Sequence, residues 1–67
     1  MIIKLNNEPL SVPSDYMNIA ELLEWRNIPG AGTAVALNNR LVPRNRWNSQ
    51  HLNNDDDIVI ISAAFGG

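Results

Sequence analysis

The residues with the clearest chemical potential are at the end of the chain, which runs Ala63-Ala64-Phe65-Gly66-Gly67. Glycine has no Cβ, so the last two residues can extend into a narrow channel that a larger residue would block. An α-carboxyl group such as that of Gly67 is ionised at neutral pH and is an oxygen nucleophile. Its attack on the α-phosphate of ATP would give an acyl-adenylate, which a sulfur donor can open to a thiocarboxylate. Alone, a terminal Gly-Gly is a weak signal, because flexible glycine ends are common.

Conventional catalytic groups are scarce in the rest of the chain. His51 is the single histidine, and the chain has no cysteine. We therefore expect His51 to be a surface or loop residue, and we expect no metal site. Asp55-Asp56-Asp57 lacks the alternating ligands and the glycine of a calcium loop, which favours a solvated turn. The serines have no histidine at a recognised motif spacing, so nucleophilic catalysis has no support.

Length and charge narrow the class of protein. A chain of 67 residues forms one small domain with a modest core, which argues against a deep enclosed active site. The formal charge of -2 argues against a nucleic-acid partner. No segment approaches the roughly 20 apolar residues of a membrane-spanning helix, so we expect a cytoplasmic protein with no membrane role.

Five short strands and one helix are predicted ahead of the tail. Apolar and β-branched runs bounded by asparagine, aspartate and proline predict strands over Ile2–Leu5, residues 9–12, Thr33–Leu37, Arg40–Val42 and residues 58–61. Apolar residues at helical spacing follow Asn18, which forms a capping box with Glu21, and Met17 and Leu22 are placed to staple across it. Pro29 and Gly30 are predicted to end this helix.

This order of elements favours an α+β fold, in which one helix covers one face of a small mixed sheet. With the last strand central and beside the first, the topology is the β-grasp of ubiquitin-like proteins. We predict a β-grasp domain over residues 1–62 and a flexible tail over residues 63–67.

The last predicted strand bears on function. Successive strand residues point to opposite faces, so if Ile58 and Ile60 face the helix, Val59 and Ile61 face solvent. Exposed β-branched residues on a central strand suggest a surface that binds a partner. The alternative is that a loop residue such as Trp47 covers this face.

Three arginines, Arg40, Arg44 and Arg46, lie close together in the sequence of an otherwise acidic protein. They could form a basic patch for docking, or they could be ordinary solvated charges.

The segment Val35-Ala36-Leu37-Asn38-Asn39-Arg40-Leu41-Val42-Pro43-Arg44, with Trp47 and the terminal Gly66-Gly67, resembles the ThiS family of thiamine-biosynthesis sulfur carriers. The resemblance implies that Gly67 is adenylated by an E1-like adenylyltransferase (ThiF-like), which uses ATP, and is then converted to a thiocarboxylate. It also implies a sulfur-donating enzyme and a thiazole synthase (ThiG-like) as partners. The carrier would be a cosubstrate that binds no cofactor of its own, is not an enzyme, and is monomeric when isolated.

We assign Ala64, Phe65 and Gly66 to binding of the tail by partners, and Val59, Ile61 and Arg44 to the partner interface. One position departs from the family pattern. The family commonly has glycine in the turn before the last strand, where this chain has Asp55, a residue that tolerates left-handed backbone better than most.

Two alternatives remain open from the sequence. The small subunit of molybdopterin synthase is similar in fold and ending, although Val42-Pro43-Arg44 with Trp47 favours the thiamine pathway. A β-grasp interaction module that docks through Val59 and Ile61, without tail chemistry, is the other.

Overall fold

The computed structural model describes residues 1–62, and the predicted tail over residues 63–67 lies outside them. Its elements confirm the predicted order of strand, strand, helix, strand, short strand and strand. They are β1 (Ile2–Leu5), β2 (Glu8–Ser11), α1 (Ile19–Trp25), β3 (Thr33–Leu37), β4 (Arg40–Val42), a short 3₁₀ helix (Arg44–Arg46) and β5 (Asp57–Ser62).

The strands form one mixed sheet in the order β2-β1-β5-β3-β4. β5 is central, parallel to β1 and antiparallel to β3. Pairing on both edges satisfies the backbone hydrogen-bonding groups of this strand, which would otherwise be an open edge of the sheet. The predicted β-grasp topology is therefore confirmed.

Both hairpins turn on pairs of asparagine residues. Asn6 and Asn7 have φ values of 49° and 72°, and Asn38 and Asn39 have φ values of 50° and 69°. Positive φ at both central residues is the backbone of a two-residue type I′ turn, whose twist matches that of the flanking strands. Asparagine enters this left-handed region more readily than other residues with a Cβ.

The predicted start of the helix is confirmed in detail. The Asn18 side chain accepts a hydrogen bond from the Glu21 backbone at 2.8 Å, and the Asn18 backbone donates to the Glu21 carboxylate at 3.0 Å. Met17 and Leu22, the predicted staple, are both buried. These bonds satisfy N–H groups that the first turn of a helix otherwise leaves without partners.

The predicted end of the helix was wrong in one respect. Asn27, with φ 57°, is the left-handed residue, and Gly30 is not. Asn27 donates to the Glu24 carbonyl at 3.1 Å, and Ile28 donates to the Leu23 carbonyl at 2.8 Å. This is a Schellman motif, and it closes the helix before the chain reaches Pro29.

The core lies between the helix and one face of the sheet. Its most deeply buried members come from both layers: Ile3, Ile19, Leu22, Val35 and Ile58. Trp47 belongs to this core, since it is 6% exposed and its indole nitrogen donates to the Val42 carbonyl at 3.0 Å. The idea that Trp47 covers the opposite face of the sheet was therefore wrong.

The turn before β5 is fixed to the start of β1. The Asp55 backbone donates to the Ile2 carbonyl at 2.7 Å, and the Ile2 backbone donates to the Asn54 side chain at 2.9 Å. Asp55 has φ 71°, the left-handed conformation expected where the family pattern has glycine. An aspartate therefore holds a strained position in an otherwise well-bonded turn.

Replacing this aspartate should stabilise the protein. We expect Asp55→Gly to raise the free energy of unfolding by about 0.5–1 kcal/mol, because relief of left-handed strain outweighs the extra freedom that glycine adds to the unfolded chain. Urea denaturation followed by circular dichroism measures the change. Asp56→Gly is the matched control. It should destabilise, since the Asp56 carboxylate accepts hydrogen bonds from Asn53 at 2.7 Å and Asn38 at 3.1 Å. A loss of stability in Asp55→Gly would contradict the strain.

Candidate functional site

The central strand leads directly into the predicted reactive tail. β5 ends at Ser62, which pairs with Thr33 at the start of β3. The tail residues assigned to chemistry and binding, Ala64, Phe65, Gly66 and Gly67, lie outside the described residues, so their roles stay predictions. What the structure describes is the surface from which the tail departs.

Asn6 holds the outgoing half of β5 on the side where β1 has already ended. Its backbone donates to the Ile58 carbonyl at 2.9 Å. Its side chain then accepts from the Ile60 backbone at 2.7 Å and donates to the Ile60 carbonyl at 3.2 Å. The side-chain amide of Asn6 thus takes the place of one further β1 residue in pairing with β5, and β5 is hydrogen-bonded on both edges as far as Ile60.

The alternation predicted for β5 is confirmed. Ile58 and Ile60 are 0% and 8% exposed and face the helix, whereas Val59 and Ile61 are 38% and 64% exposed on the opposite face. The register places Ala36 beside Val59 and Ala34 beside Ile61, with Leu41 beside Ala36 on the next strand. We call this set, Ala34, Ala36, Leu41, Val59 and Ile61, the outer apolar face.

Part of this face was missed from the sequence. Leu41, which is 73% exposed, was not predicted to belong to it. The signal that could have placed Leu41 there is its alternation with the buried Val42. The small side chains of Ala34 and Ala36 form a shallow apolar strip along the middle of the face. The larger side chains of Val59, Ile61 and Leu41 flank this strip. Such a contiguous exposed surface is typical of a site that binds another protein.

The three arginines do not form one patch. Arg40 follows the Asn38-Asn39 turn, whereas Arg44 begins the 3₁₀ helix beyond the other end of β4. A strand rises about 3.3 Å per residue, which separates the two Cα atoms by about 13 Å. Because β4 and β5 both run antiparallel to β3, Arg44 lies at the end of the sheet where β5 leads into the tail.

The contacts of His51 help to hold the fold together. Its ring stacks on Tyr16 with a centroid distance of 4.4 Å, and its backbone bridges to Asn18. Residues 1–62 contain no group of three His, Cys, Asp or Glu side chains arranged to hold a metal ion. Over the same residues, no helix has the length and apolar character needed to cross a bilayer.

Comparisons with known proteins bear on both the fold and the tail. The ThiS family model matches residues 3–67. The chain is 37% identical over 49 residues to the sulfur carrier protein ThiS of Escherichia coli (strain K12), and this covers 73% of each chain.

Solved structures agree in fold. The crystal structure of the thiamine biosynthesis protein ThiS from Geobacter metallireducens has a TM-score of 0.86 at 23% identity, covering 100% of both chains. An NMR solution structure of a thiamine biosynthesis protein from Geobacter metallireducens has a TM-score of 0.84 at 23% identity, covering 100% of this chain and 88% of that one. With the family match extending through Gly66 and Gly67, these observations show that the chain belongs to the ThiS family.

Proposed function

We propose that this protein is the sulfur carrier of thiamine biosynthesis, with the α-carboxyl group of Gly67 as the group that receives the sulfur. The observation that carries the proposal is the family match over residues 3–67, which takes in the β-grasp domain and the terminal Gly-Gly. The identity to the Escherichia coli sulfur carrier supports the same conclusion. The protein is a cosubstrate and not a catalyst.

The chemistry takes two displacements at the end of the chain. A Gly67 carboxylate oxygen attacks the α-phosphorus of ATP and expels pyrophosphate, which leaves a mixed anhydride with AMP. Sulfide-level sulfur (HS⁻) supplied by a donor enzyme then attacks the acyl carbon and expels AMP, and loss of the S–H proton leaves a thiocarboxylate. ATP binds to the activating enzyme, so the carrier needs no cofactor of its own.

The folded domain determines where the tail begins relative to a docked partner. The outer apolar face is on the same strand as the root of the tail, and Ile61 precedes Ser62 directly. Five residues extend at most about 17 Å, so a partner that binds Val59 and Ile61 must place its active site within that reach of Ser62. Docking through this face holds the Gly67 carboxylate near the partner's active site, so the reaction no longer depends on a chance encounter between the two.

Membership of the ThiS family supports three partners in this proposal. An E1-like adenylyltransferase activates Gly67, a sulfur-donating enzyme loads it, and a thiazole synthase consumes the thiocarboxylate. Each must reach the same atoms, so the partners that enclose the tail bind in turn and not together. A modest apolar face suits exchange between partners, because transient interfaces are smaller than permanent ones.

Genetic complementation tests the pathway. Expressed with its cognate adenylyltransferase and thiazole synthase, the chain should restore growth without thiamine in a bacterium that lacks its own carrier. The same chain, expressed with the host's molybdopterin synthase large subunit, should not restore molybdenum-cofactor formation in a strain that lacks the small subunit. The reverse result would assign the protein to the molybdenum pathway. Failure in both strains, with the chain expressed and folded, would favour the interaction module.

A further inference from the structure

One exposed cation is held in a defined orientation at the end of the sheet where β5 meets the tail. The central guanidinium carbon of Arg44 lies 5.9 Å from the centroid of the Trp47 ring, just inside the outer limit of about 6 Å for a cation–π contact. Trp47 is itself fixed, since it is buried and its indole nitrogen bonds to the Val42 carbonyl. The ring therefore offers a rigid support to a side chain that is otherwise long and mobile.

Gly30 completes this support. A Cβ on Gly30 would lie 3.3 Å from an Arg44 guanidinium nitrogen and 3.3 Å from Trp47 Cζ3. Both distances are tighter than ordinary van der Waals contacts, so a Cβ at this position would require the guanidinium or the ring to shift by a few tenths of an ångström. Gly30 does not have the left-handed conformation that would explain a glycine here. The close approach of Arg44 and Trp47 leaves little room for a Cβ at this position.

Arg44 has no anion within the part of the chain that is described. The ion pair found over residues 1–62 joins the Met1 amino group to Asp15, and it involves no arginine. Arg44 is exposed. Its planar fork of N–H donors is thus oriented by the fold and available to an acceptor outside it.

We propose that Arg44 binds a carboxylate on the adenylyltransferase that activates the tail, with Trp47 and Gly30 as positioning residues. This rests on the proposed function and adds the chemistry of the docking partner: an Asp or Glu side chain beside the entrance of the channel for residues 63–67. β5, β3 and β4 are neighbours, so Arg44 lies roughly 10 Å across the sheet from Ser62. A surface that surrounds the tail at Ser62 extends over that distance.

A carboxylate fits this position better than the phosphate of the acyl-adenylate. That phosphate is attached at Gly67, up to about 17 Å beyond Ser62 when five residues are fully extended. A guanidinium donates two parallel hydrogen bonds to a carboxylate, and orientation by Trp47 reduces the entropy lost when that pair forms.

Affinity for the cognate adenylyltransferase, measured by titration calorimetry with the full chain, tests the proposal. We expect Arg44→Ala to weaken binding roughly tenfold, with a smaller dependence on salt than the wild type, since an interfacial charge pair is lost. Arg44→Lys should recover only part of the affinity, because lysine keeps the charge without the planar fork. Gly30→Ala should weaken binding with no change in charge.

Arg40→Ala is the matched control, because Arg40 is also exposed but lies at the opposite end of β4. It should change the affinity less than about twofold. Equal effects of Arg44→Ala and Arg40→Ala would overturn the proposal, and wild-type affinity in Arg44→Lys would overturn the planar recognition. Thermal unfolding verifies that each variant is folded. Sulfur loading of the wild type, measured separately, tests the proposed function without reference to Arg44.

Discussion

Removal of Gly67 should abolish sulfur loading and leave the folded domain unchanged. The truncated chain would still end in a carboxylate, on Gly66, but that group would be displaced by one residue, about 3.4 Å along the extended chain. Misplacement of a reacting group by about 1 Å can already cost on the order of 100-fold in rate. We therefore expect a loss of loading of at least about 100-fold when the adenylyltransferase, ATP and sulfur donor are supplied.

Two further measurements separate chemistry from folding. The urea midpoint of the truncated protein should match the wild type, since residues 1–62 contain the helix, the sheet and the core. Affinity for the adenylyltransferase should fall much less than the loading rate, because the outer apolar face is intact. Normal loading after truncation would rule out Gly67 as the acceptor. A pure docking module would be indifferent to the deletion in every assay.

A single charge on the outer apolar face should have the second largest effect. Ile61 is 64% exposed and lies two residues before the tail, so Ile61→Glu changes the docking surface with little cost to the core. Loss of a central apolar contact and burial of an unpaired carboxylate both oppose binding. We expect the affinity for the adenylyltransferase to fall roughly 100-fold, which titration calorimetry measures.

Two other positions provide the controls for this variant. Trp25→Glu introduces the same charge at an apolar side chain that is 40% exposed on the helix, and it should leave the affinity within about twofold. Ile60 is 8% exposed on the core side of β5, so Ile60→Glu should instead unfold the protein. Wild-type affinity in Ile61→Glu, or an equal loss in Trp25→Glu, would contradict docking through this face.

Local patterns in the sequence were enough to predict much of this site. The orientation of Val59 and Ile61 follows from the two-residue period of a strand, which requires no knowledge of its neighbours. The hairpin turns follow from Asn6-Asn7 and Asn38-Asn39, because few other residues accept positive φ. The capping box likewise depends on residues three positions apart.

Features that depend on distant partners were not predictable in the same way. The bonds from Asn6 to Ile60 cross 54 positions and require that β1 end beside Ile58, near the start of β5. The separation of Arg40 from Arg44 depends on the direction of β4, and the place of Trp47 depends on which side of the sheet the loop returns. The helix ends at Trp25, because left-handed Asn27 completes a Schellman motif before Gly30 is reached.

The central claim, that Gly67 carries sulfur, is tested most directly by the intact mass of the protein. The full chain is incubated with its cognate adenylyltransferase, ATP and a sulfur source, and a known carrier treated in parallel shows that the reagents are active. We predict a mass increase equal to one oxygen-to-sulfur exchange, located at Gly67 by fragmentation. An unchanged mass beside an active control, or sulfur located at any other residue, would contradict the proposed function.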